Sequence, residues 1–339
     1  MISEVLKEYG IKPHYVEKLG NIYKVYSQNK TYALKRVKSK DVRNFFPYYQ
    51  FLYQKGYYRF VPIYPTNQGT TAVLKGQDLY YLMPWFSNQQ SEPEKDRAKK
   101  MFRELARLHS ITKREVEIEK ELIEEHYERM RLEWQKELEF LNSWFAQCER
   151  KWYMSPFEWE FVQYFNEIQK AYEFVFNSLE KWKNQLQEKQ KIRTVLVHGK
   201  IHPDHFIYDN QGYGHFINFE KATFSSPLHD LLPYLVRSLK TYPNQCNDCI
   251  EWILQYFKHY PISPEEKLLF KSYLAHPGHF IKIVSKYQSQ NMRANRELYF
   301  TKKLQHTYWM FKNIEYIVMR LEDIERQQQM MQQNQNAEN

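Results

Sequence analysis

The chain has 339 residues and a formal net charge of +9, and it contains only 9 glycines beside 28 tyrosines, 22 phenylalanines and 8 tryptophans. Average usage would give a chain of this length roughly 24 glycines, and phosphate-binding loops depend on glycine because it lets the backbone approach an anion. The composition therefore argues against a glycine-rich phosphate loop, and its aromatic content excludes a wholly disordered chain.

The length, the cysteines and the charge set further limits. A chain of this length predicts two lobes or two small domains. Cys148, Cys246 and Cys249 are too few for a disulfide framework, and their odd number favours synthesis in the reducing cytoplasm. Residues 1–15 show no secretory signal, and no apolar run reaches the roughly 18 residues of a membrane helix, so we expect no membrane insertion. A basic chain suits an acidic partner, but without a zinc-finger or RNA-recognition signature we expect no nucleic-acid binding.

The first 85 residues predict a small strand-rich lobe. Residues 14–37 and 71–83 alternate between apolar and polar side chains, and each segment contains a turn, which is typical of a β-hairpin. Residues 41–55 between them predict a helix that begins after Asp41 as its N-cap. We therefore place an N-terminal lobe over residues 1–85.

The next part of the chain predicts long helices. Residues 95–110 have helical periodicity, and two longer apolar stripes follow, separated by a break at Ser155-Pro156. The stripes consist of Ile123, Tyr127, Met130, Trp134, Leu138, Leu141 and Phe145, and of Phe161, Phe165, Ile168, Tyr172, Val175, Leu179, Trp182 and Leu186. Their spacing of three and four residues predicts an antiparallel pair of amphipathic helices in an insert of about 115–190. We expect the pair to pack within the molecule, and a partner-binding coiled coil is the alternative.

The remainder predicts a short strand, a hairpin and further helices. Residues 193–197 are rich in β-branched side chains, and residues 206–219 contain two short strands around a turn. The pattern is helical from Asp230 to about residue 326, which gives a C-terminal lobe over 86–326. We expect the Gln/Asn-rich tail, 327–339, to be disordered.

Five landmarks follow one another in an informative order. They are Lys35 in Tyr-Ala-Leu-Lys, the run Leu-Ala-Arg-Leu-His at 105–109, the run His-Gly-Lys-Ile-His-Pro-Asp-His at 198–205, Ile-Asn-Phe-Glu at 217–220, and Asp230. The order resembles that of kinase-like enzymes of the aminoglycoside phosphotransferase and choline kinase type, over roughly residues 14–235. That resemblance implies an α+β, protein-kinase-like bilobal fold with a small strand-rich N-lobe and a large helical C-lobe. Within the superfamily the chain is most similar to the spore-coat CotS group.

Three departures from the family motifs fall at catalytic positions. Lys200 stands where the resemblance implies the catalytic Asp, His205 where it implies the metal-binding Asn, and Asn218 where it implies the metal-binding Asp. Phosphoryl transfer needs an acceptor-orienting group and metal ions that neutralise the transferred charge. A lysine repels Mg²⁺, which prefers carboxylate and water oxygens. We therefore expect a pseudokinase with no catalytic residue.

The N-terminal lobe also keeps few of the residues that the resemblance implies for nucleotide binding. Gly20 is the one glycine left where the resemblance implies a glycine-rich loop, and Lys35 matches the strand lysine. The usual partner of that lysine is a Glu on the following helix, but residues 42–55 contain no acid. Gly20 and Lys35 are thus candidates for a remnant nucleotide site, and a surface or hinge role for Lys35 is equally open. We expect no cofactor, with retained ATP and Mg²⁺ binding as the alternative.

Three further matches, His198, Asp230 and Glu220, predict structural roles. Asp230 matches the Asp that holds the catalytic loop, and we expect it to accept hydrogen bonds from His198 and its neighbour. Glu220 matches the family's own Glu; it could hold an ion, and we favour its pairing with Lys200 or another local cation. Lys200 is expected in the cleft, near Glu220 or Asp204, and Asp204 is also a candidate displaced carboxylate.

The histidines raise a metal-site hypothesis that the pattern does not favour. His198, His202, His205 and His215 lie close together in sequence, and Cys246 and Cys249 form a single C-x-x-C. Zinc needs a tetrahedral set of such ligands. The histidines fall at family positions that the fold explains, and there is no second C-x-x-C, so we expect no metal and no redox role.

The resemblance implies a function outside catalysis. A degenerate member of the CotS group would be a non-catalytic component of the bacterial endospore coat, made in the mother-cell cytoplasm and bound to other spore coat proteins. An active or residual small-molecule phosphotransferase, or a nucleotide-binding module, is the alternative.

Overall fold

The computed structural model describes residues 2–28, 30–39, 42, 45–86, 93–289 and 294–337, which form two compact units. The first unit combines Met1–Arg114 with Thr194–Asp230, and the second combines Glu115–Arg193 with Leu231–Asn339. Residues 86–114 and 194–230 therefore group with the N-terminal strands, whereas the sequence placed them in the C-terminal lobe. Hydrogen bonds and packing between segments distant in sequence produce this grouping.

A five-stranded antiparallel sheet forms the N-terminal part of the first unit. Its strands are β1 (Tyr15–Leu19), β2 (Ile22–Tyr26), β3 (Thr31–Lys38), β4 (Val73–Lys75) and β5 (Asp78–Pro84), in the order β1-β2-β3-β5-β4. Both predicted hairpins are present. Helix α1 (Ile2–Glu8) precedes the sheet, and α2 (Phe45–Gln54) follows β3. Asp41, the predicted N-cap of α2, lies outside the described residues.

The sheet buries one face against the N-terminal helix. Val5 and Leu6 of α1 are fully buried against Val25, Leu34 and Leu82 from the three central strands. In β2 buried and partly buried side chains alternate, because successive residues point to opposite faces of a sheet. β3 and β5 each contain consecutive buried residues, so they are covered on both faces over part of their length. The helix α1, which the sequence pattern did not indicate, is thus fixed by the apolar face of the predicted hairpins.

The rest of the first unit contains one long helix and several short strands. These elements are α3 (Glu94–Thr112), the end of β7 (Lys191–Val197), β8 (Phe206–Tyr208), β9 (Gly214–Phe216), β10 (Thr223–Ser225) and the start of α6 (Leu228–Ser238). β8 pairs with β9, and β10 pairs with Val195–Val197. Phe216 joins this region to the N-terminal segment, since its carbonyl accepts from Val61 and its N–H donates to Arg59. β10 was not predicted, because a three-residue strand carries little periodicity.

The second unit is built mainly of helices. It contains β6 (Arg114–Glu117), α4 (Lys120–Glu149), α5 (Pro156–Lys189), α7 (Asp248–His259), α8 (Pro264–Ala275), α9 (His279–Gln288) and α10 (Ala294–Ala337). Contacts between α4 and α5 pair the start of one with the end of the other: Lys183 binds Glu124 and Phe165 stacks on Phe145. The two apolar stripes therefore pack against each other inside one chain, as an antiparallel pair.

A capping box fixes the start of α5. The Ser155 hydroxyl accepts from the backbone N–H of Glu158, and the Glu158 carboxylate accepts from the N–H of Ser155. Pro156 follows at the first helical position, where its missing N–H costs nothing. The Ser-Pro break in the sequence is thus a helix start as well as an interruption.

The C-terminal segment differs from its prediction. Residues 327–337 continue α10, whereas the sequence indicated disorder over 327–339; the last two residues lie outside the described part. Gln and Met have good helix propensity, so a preceding packed helix can extend through them without burying apolar surface. No helix within the described residues is long and apolar enough to cross a membrane.

The cysteines also differ from expectation. Cys246 and Cys249 form a disulfide at the start of α7, and Cys148 is a free, buried thiol in α4. The sequence excluded a disulfide framework, and a single bridge over three residues is not one, but this local pairing was not predicted.

Candidate functional site

Lys35 is the centre of the candidate site. It lies on β3 directly opposite Ile22 of β2 and Tyr81 of β5. Its ammonium donates to Oδ1 of Asn218 at 2.5 Å and to Oε1 of Glu220, with the Lys35 and Glu220 side chains only 12% and 13% exposed. Lys35 is therefore not a free surface lysine, and it binds two of the predicted site residues.

Glu220 takes the place of the missing helix carboxylate as the partner of Lys35. Its Oε1 also accepts from the phenol of Tyr81, which is 1% exposed. Burial alone would raise the pKa of the Glu220 carboxyl, but the charge and hydrogen bond of Lys35 and the Tyr81 phenol outweigh burial and hold that pKa below its ordinary value. Burial lowers the pKa of Lys35, Glu220 opposes this, and the charge of Lys200 lowers it further. The favoured interpretation of Glu220, a pair with a local cation, matches the geometry, with Lys35 as the cation.

Asp230 holds the loop that follows β7. Its carboxylate accepts from the backbone N–H of His198 at 2.7 Å and of Gly199 at 2.8 Å. The ring of His109, on α3, contacts the same carboxylate at 3.2 Å, and both side chains are fully buried. Burial would raise the pKa of Asp230, but its bond with His109 and the charge of the neighbouring histidines lower it overall. Asp230 thus has the structural role that the sequence predicted.

His198 orders the other side of the same loop. It is fully buried, and burial lowers the pKa of its ring, which favours the neutral form. Nε2 lies 2.7 Å from the carbonyl oxygen of Ile217, which can only accept, so Nε2 carries the proton. Nδ1 then accepts from the N–H of Lys200 at 3.3 Å. Both ring nitrogens are used in fixing the loop, which gives His198 its predicted structural role.

Gly199 lets two backbone segments approach closely. Its φ of +77° lies in the left-handed region, and a Cβ on this residue would stand 2.4 Å from the carbonyl oxygen of Lys221. Any larger side chain would separate the loop containing Lys200 from the turn containing Glu220. The His-Gly pair is therefore required by packing.

Lys200 and His205 lie at the ends of a short turn. The ring of His205 donates from Nδ1 to the carbonyl of Lys200 at 2.8 Å, and burial lowers the pKa of that ring. The Lys200 side chain is exposed and lines the cleft, as expected, but it pairs with neither Glu220 nor Asp204 in the described structure. Asp204 is 81% exposed and contacts His202, so it does not supply a displaced carboxylate to the cleft.

Asn218 and Gly20 occupy tight turns. Asn218 has φ +69° and ψ +44°, a left-handed conformation that asparagine tolerates better than most residues. Gly20 has φ +63° and lies in a two-residue connection between β1 and β2, where Leu19 faces Ile22. A two-residue turn offers little backbone to surround a phosphate, so the single glycine is explained by hairpin geometry.

The cleft has a volume of about 660 Å³ within the first unit. It is lined by Asn21, Lys35, Arg36, Val37, Lys38, Asp78, Lys200, Asn218, Glu220 and Lys221. The lining brings together four predicted site residues, Lys35, Lys200, Asn218 and Glu220. Gly20 is not part of the lining but is next to Asn21, which is. His198 and Asp230 do not line the cleft, and they hold the backbone of the loop that carries Lys200. Sequence reasoning missed Tyr81 and Lys221 and gave His109 no role beyond its place in a family landmark, because all three roles depend on strand register and loop approach.

The histidines near the site have structural partners. The ring of His215 contacts Asp209 at 2.9 Å, His202 contacts Asp204 at 3.3 Å, and His198 uses both of its nitrogens as described. Within the described residues, no group of three or more His, Cys, Asp or Glu side chains is placed to hold a metal ion.

Comparison with protein-family models shows the family of the chain. The model of the phosphotransferase enzyme family matches residues 19–260, which is most of the chain. The chain belongs to this family. The curated proteins contain no match to the chain.

Solved structures of phosphotransferases share the fold. An aminoglycoside phosphotransferase from Alicyclobacillus acidocaldarius superposes with a TM-score of 0.69 at 17% identity, covering 95% of each chain. The AMP-bound complex of a spectinomycin phosphotransferase gives a TM-score of 0.51 at 16% identity, covering 91% of this chain and 97% of the other. These similarities confirm the predicted α+β, protein-kinase-like fold of the aminoglycoside phosphotransferase type.

Proposed function

We propose that this member of the phosphotransferase enzyme family is catalytically inactive and acts by binding other proteins. The observation that carries the proposal is the contact of Lys35 with both Asn218 and Glu220. Family resemblance assigns a metal-binding Asp to the position of Asn218, and here a lysine ammonium binds the oxygen of that side chain. A cation already bound there disfavours a divalent ion.

The catalytic loop supports the same proposal. Lys200, at the position of the catalytic Asp, is a cation and cannot accept a proton from an acceptor hydroxyl. His205, at the position of the metal-binding Asn, uses Nδ1 to hold the Lys200 carbonyl and offers only a ring nitrogen, whereas Mg²⁺ prefers oxygen ligands. The acceptor-orienting Asp and both metal ligands that the family resemblance implies are thus replaced.

The site of action that we propose is the bacterial endospore coat. This rests on the resemblance to the CotS group and, within that group, to the coat protein YsxE. Synthesis would occur in the mother-cell cytoplasm, and the partners would be other spore coat proteins. Large aromatic anchors favour protein binding, and the turn between α4 and α5 exposes 89% of Trp152 and 85% of Tyr153.

An assay of phosphoryl transfer tests the loss of catalysis. We expect the purified chain to release no ADP above background from ATP and Mg²⁺ with aminoglycosides, choline or water as acceptors. A matched triple variant, Lys200→Asp with His205→Asn and Asn218→Asp, serves as the gain-of-function comparison. Mg²⁺-dependent turnover by the natural chain would overturn the proposal.

Imaging tests the location. A fluorescent fusion expressed during sporulation of an endospore-forming bacterium should collect as a shell around the developing spore. Diffuse cytoplasmic fluorescence throughout sporulation would contradict the coat assignment.

A second candidate function is nucleotide or metabolite binding without turnover. The large cationic cleft around Lys35 and Lys200 favours it, since phosphate-bearing ligands are attracted by such a lining. Thermal-shift titration with ATP, with and without Mg²⁺, separates it from a purely protein-binding role.

A further inference from the structure

The cleft of the first unit carries more positive than negative charge. Its lining contributes five cationic side chains, Lys35, Arg36, Lys38, Lys200 and Lys221, and two carboxylates, Asp78 and Glu220. Such a concentration of one sign in a concave surface focuses the electrostatic field and attracts ligands of opposite charge.

Three of the cations are already paired. Asp78 binds Lys38 at 3.2 Å and Arg36 at 3.9 Å, and Glu220 binds Lys35. Of the net three positive charges, one remains on Arg36 and Lys38, which share the single carboxylate of Asp78, and the other two lie on Lys200 and Lys221. Neither has a carboxylate partner within the part of the chain that the structure describes, and both are exposed.

Lys200 and Lys221 are held near each other by the backbone. Gly199 packs so closely on the carbonyl of Lys221 that a Cβ would stand 2.4 Å from it. The buried Asp230 fixes the N–H of Gly199, so the loop position does not depend on a ligand. A pair of cations arranged before binding loses less conformational entropy when it meets an anion.

The same cleft has little to offer a divalent cation. The amide of Asn218 and the carboxylate of Glu220 are both occupied by the ammonium of Lys35. Phosphoryl-transfer enzymes neutralise the charge of their ligand largely with metal ions. In this chain the lysines are placed to supply that positive charge themselves.

We propose that Lys200 and Lys221 bind a ligand carrying several phosphoryl oxygens directly, without a divalent metal. The proposal rests on the proposed function, because it takes Asn218 to be unable to hold a metal ion. Lysine binds phosphate as a point charge from a flexible stem, and a cleft of about 660 Å³ lies in the size range of small-molecule sites. Mg²⁺ would oppose this binding, since it shields the same phosphoryl oxygens and is repelled by Lys200.

Calorimetric titration of the full chain with inorganic tripolyphosphate in EDTA tests the proposal. We expect saturable binding at one site, weaker with rising salt, and about tenfold weaker in each of Lys200→Ala and Lys221→Ala. Lys18→Ala, at an exposed lysine of β1 outside the cleft, is the matched control and should bind like the natural chain. Excess Mg²⁺ should weaken binding.

A parallel titration with ATP separates the phosphate chain from the nucleoside. Affinities for ATP and tripolyphosphate within a few-fold of each other in EDTA would support the proposal. Absence of tripolyphosphate binding in EDTA, binding that requires Mg²⁺, or equal affinity in the Lys200→Ala and Lys18→Ala variants would overturn it. Failure of the proposed function would instead appear as ADP release with Mg²⁺, which this titration does not measure.

Discussion

At Asp230 a single fully buried carboxylate satisfies donors from three residues. Two are backbone N–H groups of the loop at His198 and Gly199, and the third is the ring of His109 on α3. Buried donors that lose their acceptor carry the full cost of desolvation. The stability of the loop is therefore concentrated in one side chain.

Asp230→Asn should lower the free energy of unfolding at pH 7 by about 2–4 kcal/mol, because an amide NH₂ faces donors where a carboxylate oxygen accepted. The pKa of Asp230 is below its ordinary value in the folded chain, so its contribution is present above the unfolded pKa of about 3.9 and is lost as pH falls through the folded pKa. Urea unfolding between pH 7 and pH 3 checks this. If the difference in unfolding free energy between the natural chain and Asp230→Asn did not shrink on acidification, the prediction would be wrong.

Lys35 and Glu220 form a second concentrated interaction. Glu220→Gln should destabilise the chain by about 3 kcal/mol, because it leaves the mostly buried Lys35 ammonium without its counter-charge. The double variant Lys35→Met with Glu220→Gln should recover part of that loss. Chemical denaturation of the two single variants and the double variant closes the thermodynamic cycle. Simple additivity of the single effects would show that the pair is not coupled.

At the scale of elements, periodic segments were predictable and contacts between distant segments were not. The stripes of α4 and α5 repeat over many turns, and the hairpins of β1–β3 and β4–β5 alternate clearly, so both patterns indicate their structure. The partner of Lys35 was hidden, because it depends on the register that sets Lys35 opposite Tyr81 and on the turn that presents Glu220. The sequence correctly showed that the helix after β3 lacks an acidic residue to pair with Lys35. It did not show that Glu220 pairs with Lys35 instead.

In the loop after β7, packing against the turn at Lys221 requires glycine at position 199. Gly199→Ala should destabilise by more than about 3 kcal/mol, because backbone strain adds to a clash with the carbonyl of Lys221. Gly56→Ala, after α2, is the matched control: its φ of +73° is similar, but a Cβ there meets nothing within 4 Å. The control should cost only about 1 kcal/mol. Equal unfolding free energies for the two variants would contradict the close approach.

At the scale of the whole molecule, the chain enters each compact unit twice. The first unit needs Thr194–Asp230 as well as Met1–Arg114, since Phe216 pairs with Arg59 and Val61 and Glu220 pairs with Lys35. The sequence boundary near residue 85 followed a change in periodicity, which does not report such distant pairings. Local patterns indicate what an element is, but not with which segment it packs.

A fragment of residues 1–114 should therefore lack a cooperative unfolding transition. The same residues joined by a short Gly/Ser linker to residues 194–230 should show one, because the buried contacts of Phe216 and Asp230 are restored. Urea titration followed by circular dichroism and tryptophan fluorescence compares the two. A cooperative transition in the shorter fragment would contradict the need for the second segment.

The sequence separation of 185 between Lys35 and Glu220 has a consequence for synthesis. At about 5–20 residues per second, a ribosome adds the acid roughly 10–40 s after the lysine. During that interval the five-stranded sheet can already pair, since all of its strands lie before residue 85. The Lys35 ammonium, beside Tyr81 on the neighbouring strand, then stays hydrated. It is enclosed only when the segment Thr194–Asp230, which carries Glu220, has been made. The pairing of Lys35 with Glu220 is therefore a late step in the folding of the first unit, set by the order in which the chain is made.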